Sequence, residues 1–204
     1  MLDLIVRNAN LPDGRGPVNI AVLGDRIARI AARIDAEAAE TIDASGCLAS
    51  PPFVDPHFHM DTTLTLGRPR FNVSGTLLEG IALWGEVRPL LTPEAVIERA
   101  MRYCDLAVVQ RILAIRSHVD VSTAPLVGVE ALLEVKRQVA PWIDLQRVAL
   151  PQDGFYRAPD AEANLTRARH GGRCGRRHSA FRAHNGRGHA VRSRRCACAP
   201  RGWP

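Results

Sequence analysis

His57-Phe58-His59 is the sequence element best suited to chemistry in this chain. On an extended backbone, side chains two residues apart point to the same side, so the two imidazoles can converge on one divalent ion. Neutral imidazole suits zinc and ferrous iron, and an ion with an open coordination position ionises bound water near neutral pH. The alternative interpretation is that one histidine caps a turn and the other lies on the surface.

Further polar residues follow two later apolar segments. His118 and Asp120 end one of these segments, and Gln152 and Asp153 follow the next. In parallel α/β sheets, ligands bind beyond the carboxyl ends of the strands. We therefore expect these polar groups to gather at the edge of the sheet that also carries the histidine pair.

The carboxylates and the third histidine have less certain roles. His118 and Asp120 either orient a metal ligand or form a structural pair, and both interpretations are favoured over direct catalysis. Asp61 follows His59 by two residues, so that it either orients this imidazole or forms a salt bridge nearby.

The elements that must position these residues alternate in type. Short strands are predicted at Leu2–Val6, Val18–Leu23, Arg26–Ile30 and Thr41–Asp43, and an extended segment at Cys47–Val54. After Thr92-Pro93-Glu94, which is a typical helix start, the predicted order is helix, strand (Ile112–Ile115), helix (Pro125–Ala140) and strand (Ile143–Leu150). This alternation is typical of a parallel sheet with crossover helices.

Charge is distributed unevenly along the 204 residues. The net charge is +6, yet all 21 acidic residues lie at or before Glu162, so the positive charge belongs to an arginine-rich tail. We find no secretory signal and no membrane segment, and we expect a cytoplasmic protein. Cys47 and Cys104 lie in apolar surroundings and are predicted to be buried free thiols.

Several sequence blocks together resemble one protein family. In chain order they are PPFVDPHFHMDTT, SGTLLEGI, RSHVDV, LLEVKRQVAPWIDLQ and ALPQDG. They are similar to successive blocks of the cytosine deaminase branch of the metal-dependent amidohydrolase superfamily, and the similarity covers residues 1–168.

The resemblance implies an α/β fold, a (β/α)8 TIM-like barrel with a small β-sandwich built partly from the N-terminal strands. It implies that His57 and His59 are the first two ligands of one divalent ion, Fe²⁺ or Zn²⁺. Gln152 then hydrogen-bonds the pyrimidine edge, and Leu77 contacts the substrate through its backbone. An amide suits the first role, because it offers both a donor and an acceptor.

The implied reaction is hydrolytic deamination of cytosine or a related cyclic amidine. Metal-bound hydroxide attacks the amino-bearing ring carbon, and ammonia leaves. An alternative within the superfamily is hydrolysis of another nitrogen heterocycle, such as a triazine, an oxidised pyrimidine or a hydantoin-type ring. The expected partner is thus a small nitrogen heterocycle, with no membrane or nucleic acid, and a homo-oligomer remains open.

The sequence departs from the family at about Arg169. A third metal-binding histidine, a glutamate proton shuttle, a further histidine and a late aspartate ligand are expected on later strands, and this sequence contains none of them. Reading the codons of the tail one nucleotide later permits a string similar to the family's next strand, GxDVVGxIPHFE. We therefore interpret the tail as a segment read out of frame.

Three regions follow from these observations. Residues 1–50 are predicted to belong to the β-sandwich, residues 51–168 to the first part of a truncated barrel, and residues 169–204 to a disordered basic tail. A barrel with open edges exposes unpaired backbone groups, so we expect a poorly folded and inactive chain. The alternative from another class is a non-catalytic protein that binds nucleic acid through the basic tail.

Overall fold

The computed structural model describes residues 1–170 and 182–183, and it divides into two units. The first unit is Met1–Pro52, and the second begins at Phe53. Within the part of the chain that the model describes, no helix has the length and apolar character needed to cross a membrane. The predicted out-of-frame tail lies outside the described residues apart from its first two positions, 169 and 170, and positions 182 and 183, and it stays a prediction.

The first unit is built on a four-stranded sheet with the order β3-β2-β1-β4. The strands are β1 (Leu2–Ala9), β2 (Val18–Leu23), β3 (Arg26–Ala31) and β4 (Ala38–Asp43). β1 pairs with β2 and β2 with β3 in antiparallel fashion, whereas β1 and β4 are parallel. All four predicted strands are confirmed, and Gly24 supplies the positive φ, 60°, that the tight β2–β3 turn needs.

The second unit contains a parallel sheet with the order β5-β6-β7-β8. Its strands are β5 (Phe53–Phe58), β6 (Ile112–Asp120), β7 (Asp144–Leu150) and β8 (Arg182–Ala183). Its helices are α1 (Leu77–Val87), α2 (Pro93–Val109), α3 (Val127–Val139) and α4 (Ala161–His170), and a 3-10 helix spans Arg88–Leu90. The predicted parallel sheet with crossover helices is confirmed.

Helices α2 and α3 cover the sheet because their apolar residues recur at helical spacing. The Thr92 hydroxyl caps α2 by accepting from the Ala95 N–H at 3.2 Å, and Pro93 follows as the first helical residue. The buried residues of the two helices are Val96, Ala100, Cys104, Ala107, Gly128, Val129, Ala131, Leu132, Val135 and Val139. They form one hydrophobic core with residues of β6 and β7. Burial of this apolar surface holds the two strands against the helices.

Three sequence expectations differ from the structure. The extended segment predicted at Cys47–Val54 is a strand only from Phe53, because β5 pairs with β6 and runs on to Phe58. Cys104 is buried as predicted, but Cys47 is exposed, since its apolar neighbours do not enclose it. Helices α1 and α4 are additional elements that the sequence reading did not predict.

Candidate functional site

The two histidines of the His-x-His element lie on one face of β5, and the residue between them lies on the other. The Phe58 ring stacks on Tyr103 of α2 with a centroid distance of 4.0 Å. The ring centroids of His57 and His59 are 5.3 Å apart, and the rings are arranged edge to face. The alternation expected from an extended backbone therefore places both imidazoles away from α2.

A bulge in β5 sets which face the histidines occupy. Asp55 pairs with Ile115 and Phe58 with Ser117, so β5 spans this interval with one more residue than β6. The Asp55 carboxylate accepts from the Tyr103 hydroxyl at 2.7 Å, which places Asp55 on the same side as Phe58. In a regular strand of the same sequence, with no bulge, Asp55 and His57 would share a face.

His118 joins the histidine pair from the neighbouring strand. Its ring stacks on His57 with a centroid distance of 3.9 Å and an interplanar angle of 21°, and it lies 5.8 Å from the His59 ring. His118 is buried, whereas His57 is exposed. The structure thus brings together three imidazoles from two adjacent strand ends.

The imidazoles of His57 and His59 are of the residue type that could serve as two ligands of a divalent ion. Burial, together with the neighbouring His57, lowers the pKa of His59, so the neutral imidazole that coordinates metals is favoured. Among residues 1–170 and 182–183, no three His, Cys, Asp or Glu side chains are placed to hold an ion together. The described donor set accordingly amounts to two imidazoles.

Asp61, two residues after His59, is buried. Its Oδ2 accepts from the Asp120 N–H at 3.0 Å, and its Oδ1 is buried without a hydrogen-bond partner among the described residues. Burial raises the pKa of Asp61 to about 7. Neither alternative from the sequence, a bond to the His59 ring or a salt bridge, is present in the described part of the chain.

Asp120 has the opposite environment. Its Oδ2 accepts from Trp84 Nε1 at 2.7 Å and from an Arg88 Nη1 at 2.8 Å. Its Oδ1 accepts from the main-chain N–H groups of Ser122, at 2.8 Å, and Gln152, at 3.4 Å. Burial opposes ionisation of Asp120, but these hydrogen bonds outweigh it and lower its pKa. These partners do not test the predicted roles of His118 and Asp120, as a structural pair or in orienting a metal ligand, which stay predictions.

A cleft of about 320 Å³ opens beside these groups. We define the floor of the cleft as the lining residues at or just after the carboxyl ends of β5, β6 and β7. These residues are His59, Asp61, Asp120 and Gln152. Its wall is residues 62–90, including Leu77 and Trp84 of α1. Five of the predicted site residues line the cleft: His59, Asp61, Leu77, Asp120 and Gln152. His57 and His118 are not among the lining residues, and their ring centroids lie 5.3 and 5.8 Å from that of His59.

The sequence reading missed the residues that hold the wall. Thr76 caps α1 by accepting from the Glu79 N–H at 3.3 Å, and Glu79 in turn accepts from the Ser74 N–H and from Arg70. The Thr76-x-x-Glu79 spacing is that of a capping box and could have revealed α1. No local pattern indicates that Trp84 and Arg88 bind Asp120.

Comparison with known proteins places this site in context. The model of the amidohydrolase family matches residues 40–179. N-isopropylammelide isopropyl amidohydrolase of Pseudomonas sp. (strain ADP) is 33% identical over 175 residues, which cover 81% of this chain and 42% of that protein.

Two solved structures are similar in fold and sequence. The 5-methylcytosine deaminase from Klebsiella pneumoniae, liganded with 5-fluorocytosine, superposes with a TM-score of 0.77 at 39% identity and covers 82% of this chain and 41% of its own. For N-isopropylammelide isopropylaminohydrolase from Burkholderia multivorans ATCC 17616, the TM-score is 0.69 and the identity 25%, with 84% and 43% covered. The chain therefore spans less than half the length of these relatives.

Proposed function

The chain belongs to the amidohydrolase family, and on that premise we propose that its site serves hydrolytic deamination of cytosine or a related cyclic amidine. The observation that carries this proposal is the cleft, which is lined by His59 and Gln152, just after the ends of two parallel strands, and by Leu77 at the start of α1. The similarity to a 5-methylcytosine deaminase at 39% identity supports the choice of substrate class.

Each residue contributes a distinct part of this proposed function. His57 and His59 hold a divalent ion, Fe²⁺ or Zn²⁺, as two of its ligands. When bound, that ion supplies the Lewis acidity that activates water near neutral pH. His118, stacked on His57, restricts the orientation of that imidazole.

Substrate recognition falls to Gln152 on the floor of the cleft and Leu77 on its wall. The Gln152 side-chain amide offers a donor and an acceptor to the polar edge of the ring. Leu77 is the first residue of α1, and a main-chain N–H at this position has no acceptor within the helix. It is therefore available to a polar atom of the heterocycle.

Binding of 5-fluorocytosine tests the proposal directly. Fluorine NMR of this ligand with the 204-residue chain, with and without Zn²⁺, is expected to show saturable line broadening. Gln152→Leu removes the amide and is expected to weaken binding by about 10-fold or more, because a polar ring edge then lies against an apolar group. Gln146→Leu, on β7 and outside the cleft lining, is the matched control. Equal affinity for the unaltered chain and the Gln152 variant would argue against this function.

A second candidate is hydrolytic removal of an alkylamine from a nitrogen heterocycle. It is favoured by the relative named for action on N-isopropylammelide, which is similar over 81% of this chain. Competition between N-isopropylammelide and 5-fluorocytosine in the same NMR experiment distinguishes the two, since the preferred ring displaces the other at the lower concentration.

We further propose that the second unit is part of a (β/α)8 barrel and that the first unit contributes to a small β-sandwich. The proposed chemistry needs a third histidine, a glutamate proton shuttle and a late aspartate ligand, and the resemblance identifies no counterpart of them in this sequence. The 204-residue chain alone is therefore expected to release no ammonia from cytosine. Ammonia release at a rate near that of a full-length deaminase would contradict this expectation.

A further inference from the structure

The Asp120 carboxylate connects three elements that approach the cleft from different parts of the chain. Its side chain is 5% exposed. One oxygen accepts from Trp84 of α1 and from Arg88, and the other accepts from the main chain of Ser122 and Gln152. An ionised carboxylate accepts hydrogen bonds and donates none, and each oxygen of Asp120 accepts from two donors here.

Residues next to Asp120 in the structure join the same segments through two further hydrogen bonds. Arg88 also donates to the Asp153 carboxylate at 3.1 Å, and the Asp153 N–H donates to the Ser122 hydroxyl at 2.9 Å. The segment after β7 is thereby tied both to the segment after β6 and to the end of α1. These ties matter for Gln152, which lies directly before Asp153.

Two of the connected residues face the cleft. Trp84 and Gln152 both line it, and Trp84 has only one ring N–H, which it donates to Asp120 at 2.7 Å. A hydrogen bond at Nε1 restricts rotation of the indole about its side-chain torsions. An aromatic ring held in one orientation offers a flat surface for stacking of another ring.

We propose that Asp120 is a positioning residue that fixes the spacing between the Trp84 indole and the Gln152 amide, so that a flat nitrogen heterocycle stacks on the indole while its polar edge meets the amide. This inference rests on the proposed function, and it adds Trp84 as a stacking residue. Asp120 itself does not touch the heterocycle in this arrangement.

The experiment measures 5-fluorocytosine binding to three variants of the 204-residue chain by fluorine NMR. Asp120→Asn keeps the shape but loses one acceptor and the charge, whereas Trp84→Phe keeps an aromatic ring but loses the N–H. Each is expected to raise the Kd about 10-fold, and the double variant no further, because both changes break one coupled arrangement. Asp105→Asn, at an exposed position on α2, is the matched control and is expected to leave the Kd unchanged.

The hydrogen bond between Trp84 and Asp120 is observed separately through the indole N–H proton of Trp84. The resonance of this proton is assigned by its disappearance in Trp84→Phe. This resonance is expected to move in Asp120→Asn. An unchanged Kd in Trp84→Phe, or additive effects in the double variant, would overturn the inference, and Trp84→Phe decides this even where Asp120→Asn fails to fold.

Failure of the proposed function has a different signature. In that case the unaltered chain does not bind 5-fluorocytosine at all, and stacking on Trp84 is refuted along with it. An indole resonance that still moves in Asp120→Asn would then show that the tie is present without that ligand. A resonance that does not move would refute the geometric part as well.

Discussion

The floor and the wall of the cleft are held by different forces. The floor continues from β5, β6 and β7, and β6 and β7 are packed against the buried faces of α2 and α3. Helix α1 of the wall has no buried residue, and Leu77 and Leu78 are 78% and 79% exposed. Hydrogen bonds from Trp84 and Arg88 to Asp120 attach the wall instead, and the contacts of Thr76 and Glu79 hold the wall together internally.

This difference indicates how each side of the site responds to change. An apolar core does not depend on any single polar side chain at the surface. A segment attached by a few hydrogen bonds, in contrast, opens when one of them is removed. The floor should therefore unfold only with the whole second unit, and the wall should open locally at a lower free energy.

The largest effect is expected from a cavity beneath the floor. Leu132 of α3 is 0% exposed, so Leu132→Ala should reduce the free energy of unfolding by about 2–5 kcal/mol. Urea denaturation followed by circular dichroism measures this loss. Leu78→Ala, the same change on the exposed surface of α1, should alter stability by only about 0.5 kcal/mol. Equal losses would remove the contrast between the two regions.

Removal of the Arg88 side chain should release the wall. Arg88→Ala breaks the hydrogen bonds to Asp120 and Asp153, and the free energy of local opening of α1 should fall by about 1.5–3 kcal/mol, the range for bonds to charged groups. Hydrogen exchange of the α1 amides measures this opening. Arg102→Ala, at an exposed position of α2, should leave α1 exchange unchanged.

The two threonine caps allow a like-for-like comparison. Thr76 and Thr92 each accept from the N–H three residues ahead, at 3.3 Å and 3.2 Å. Replacement of either by alanine should cost about 1 kcal/mol. Thr76→Ala should appear as faster exchange confined to α1, whereas Thr92→Ala should lower the global unfolding midpoint. Global destabilisation by both would mean that the wall and floor unfold together.

The smallest effect is the acid response of the wall. Hydrogen bonds from Ser74 and Arg70 lower the pKa of Glu79 to about 2 from an ordinary value of 4.5. The ionised carboxylate therefore supports the wall fully above pH 4.5, and this support is lost as the pH falls towards 2. The protection of the α1 amides, taken relative to their intrinsic exchange rates at each pH, should fall over that interval in the unaltered chain. In Glu79→Gln, where the group cannot titrate, this fall should be absent.

Local sequence signals predicted well the helices and strands that support the floor. Thr92-Pro93 marked the start of α2 because a capping hydroxyl and a first-turn proline act within four residues of each other. The apolar spacing of α3 predicts a core face of Val129, Leu132, Leu133, Val135 and Val139, and all of these are buried except Leu133, which is partly buried. His-x-His alternation placed both imidazoles on one face because that geometry needs only an extended backbone.

The wall was harder to predict because its contacts join distant parts of the chain. Trp84 and Arg88 lie 36 and 32 residues from Asp120, so no local period records their hydrogen bonds. The apolar residues of α1 form no buried face, and the helix therefore lacks the usual pattern. The stacking of His118 on His57 likewise depends on the register of two strands rather than on either sequence alone.

The bulge between Asp55 and Phe58 leaves one spare residue in the strand that carries the histidines. Pro56 lies in this interval on an edge strand of the described sheet, where a missing N–H is tolerated. Deletion of one residue from the interval would restore a regular ladder and keep the pairs Asp55–Ile115 and Phe58–Ser117. Loss of a second residue would instead turn Phe58 away from Tyr103 and His59 towards α2. The strand should therefore tolerate the first loss, whereas the second should destroy the histidine arrangement.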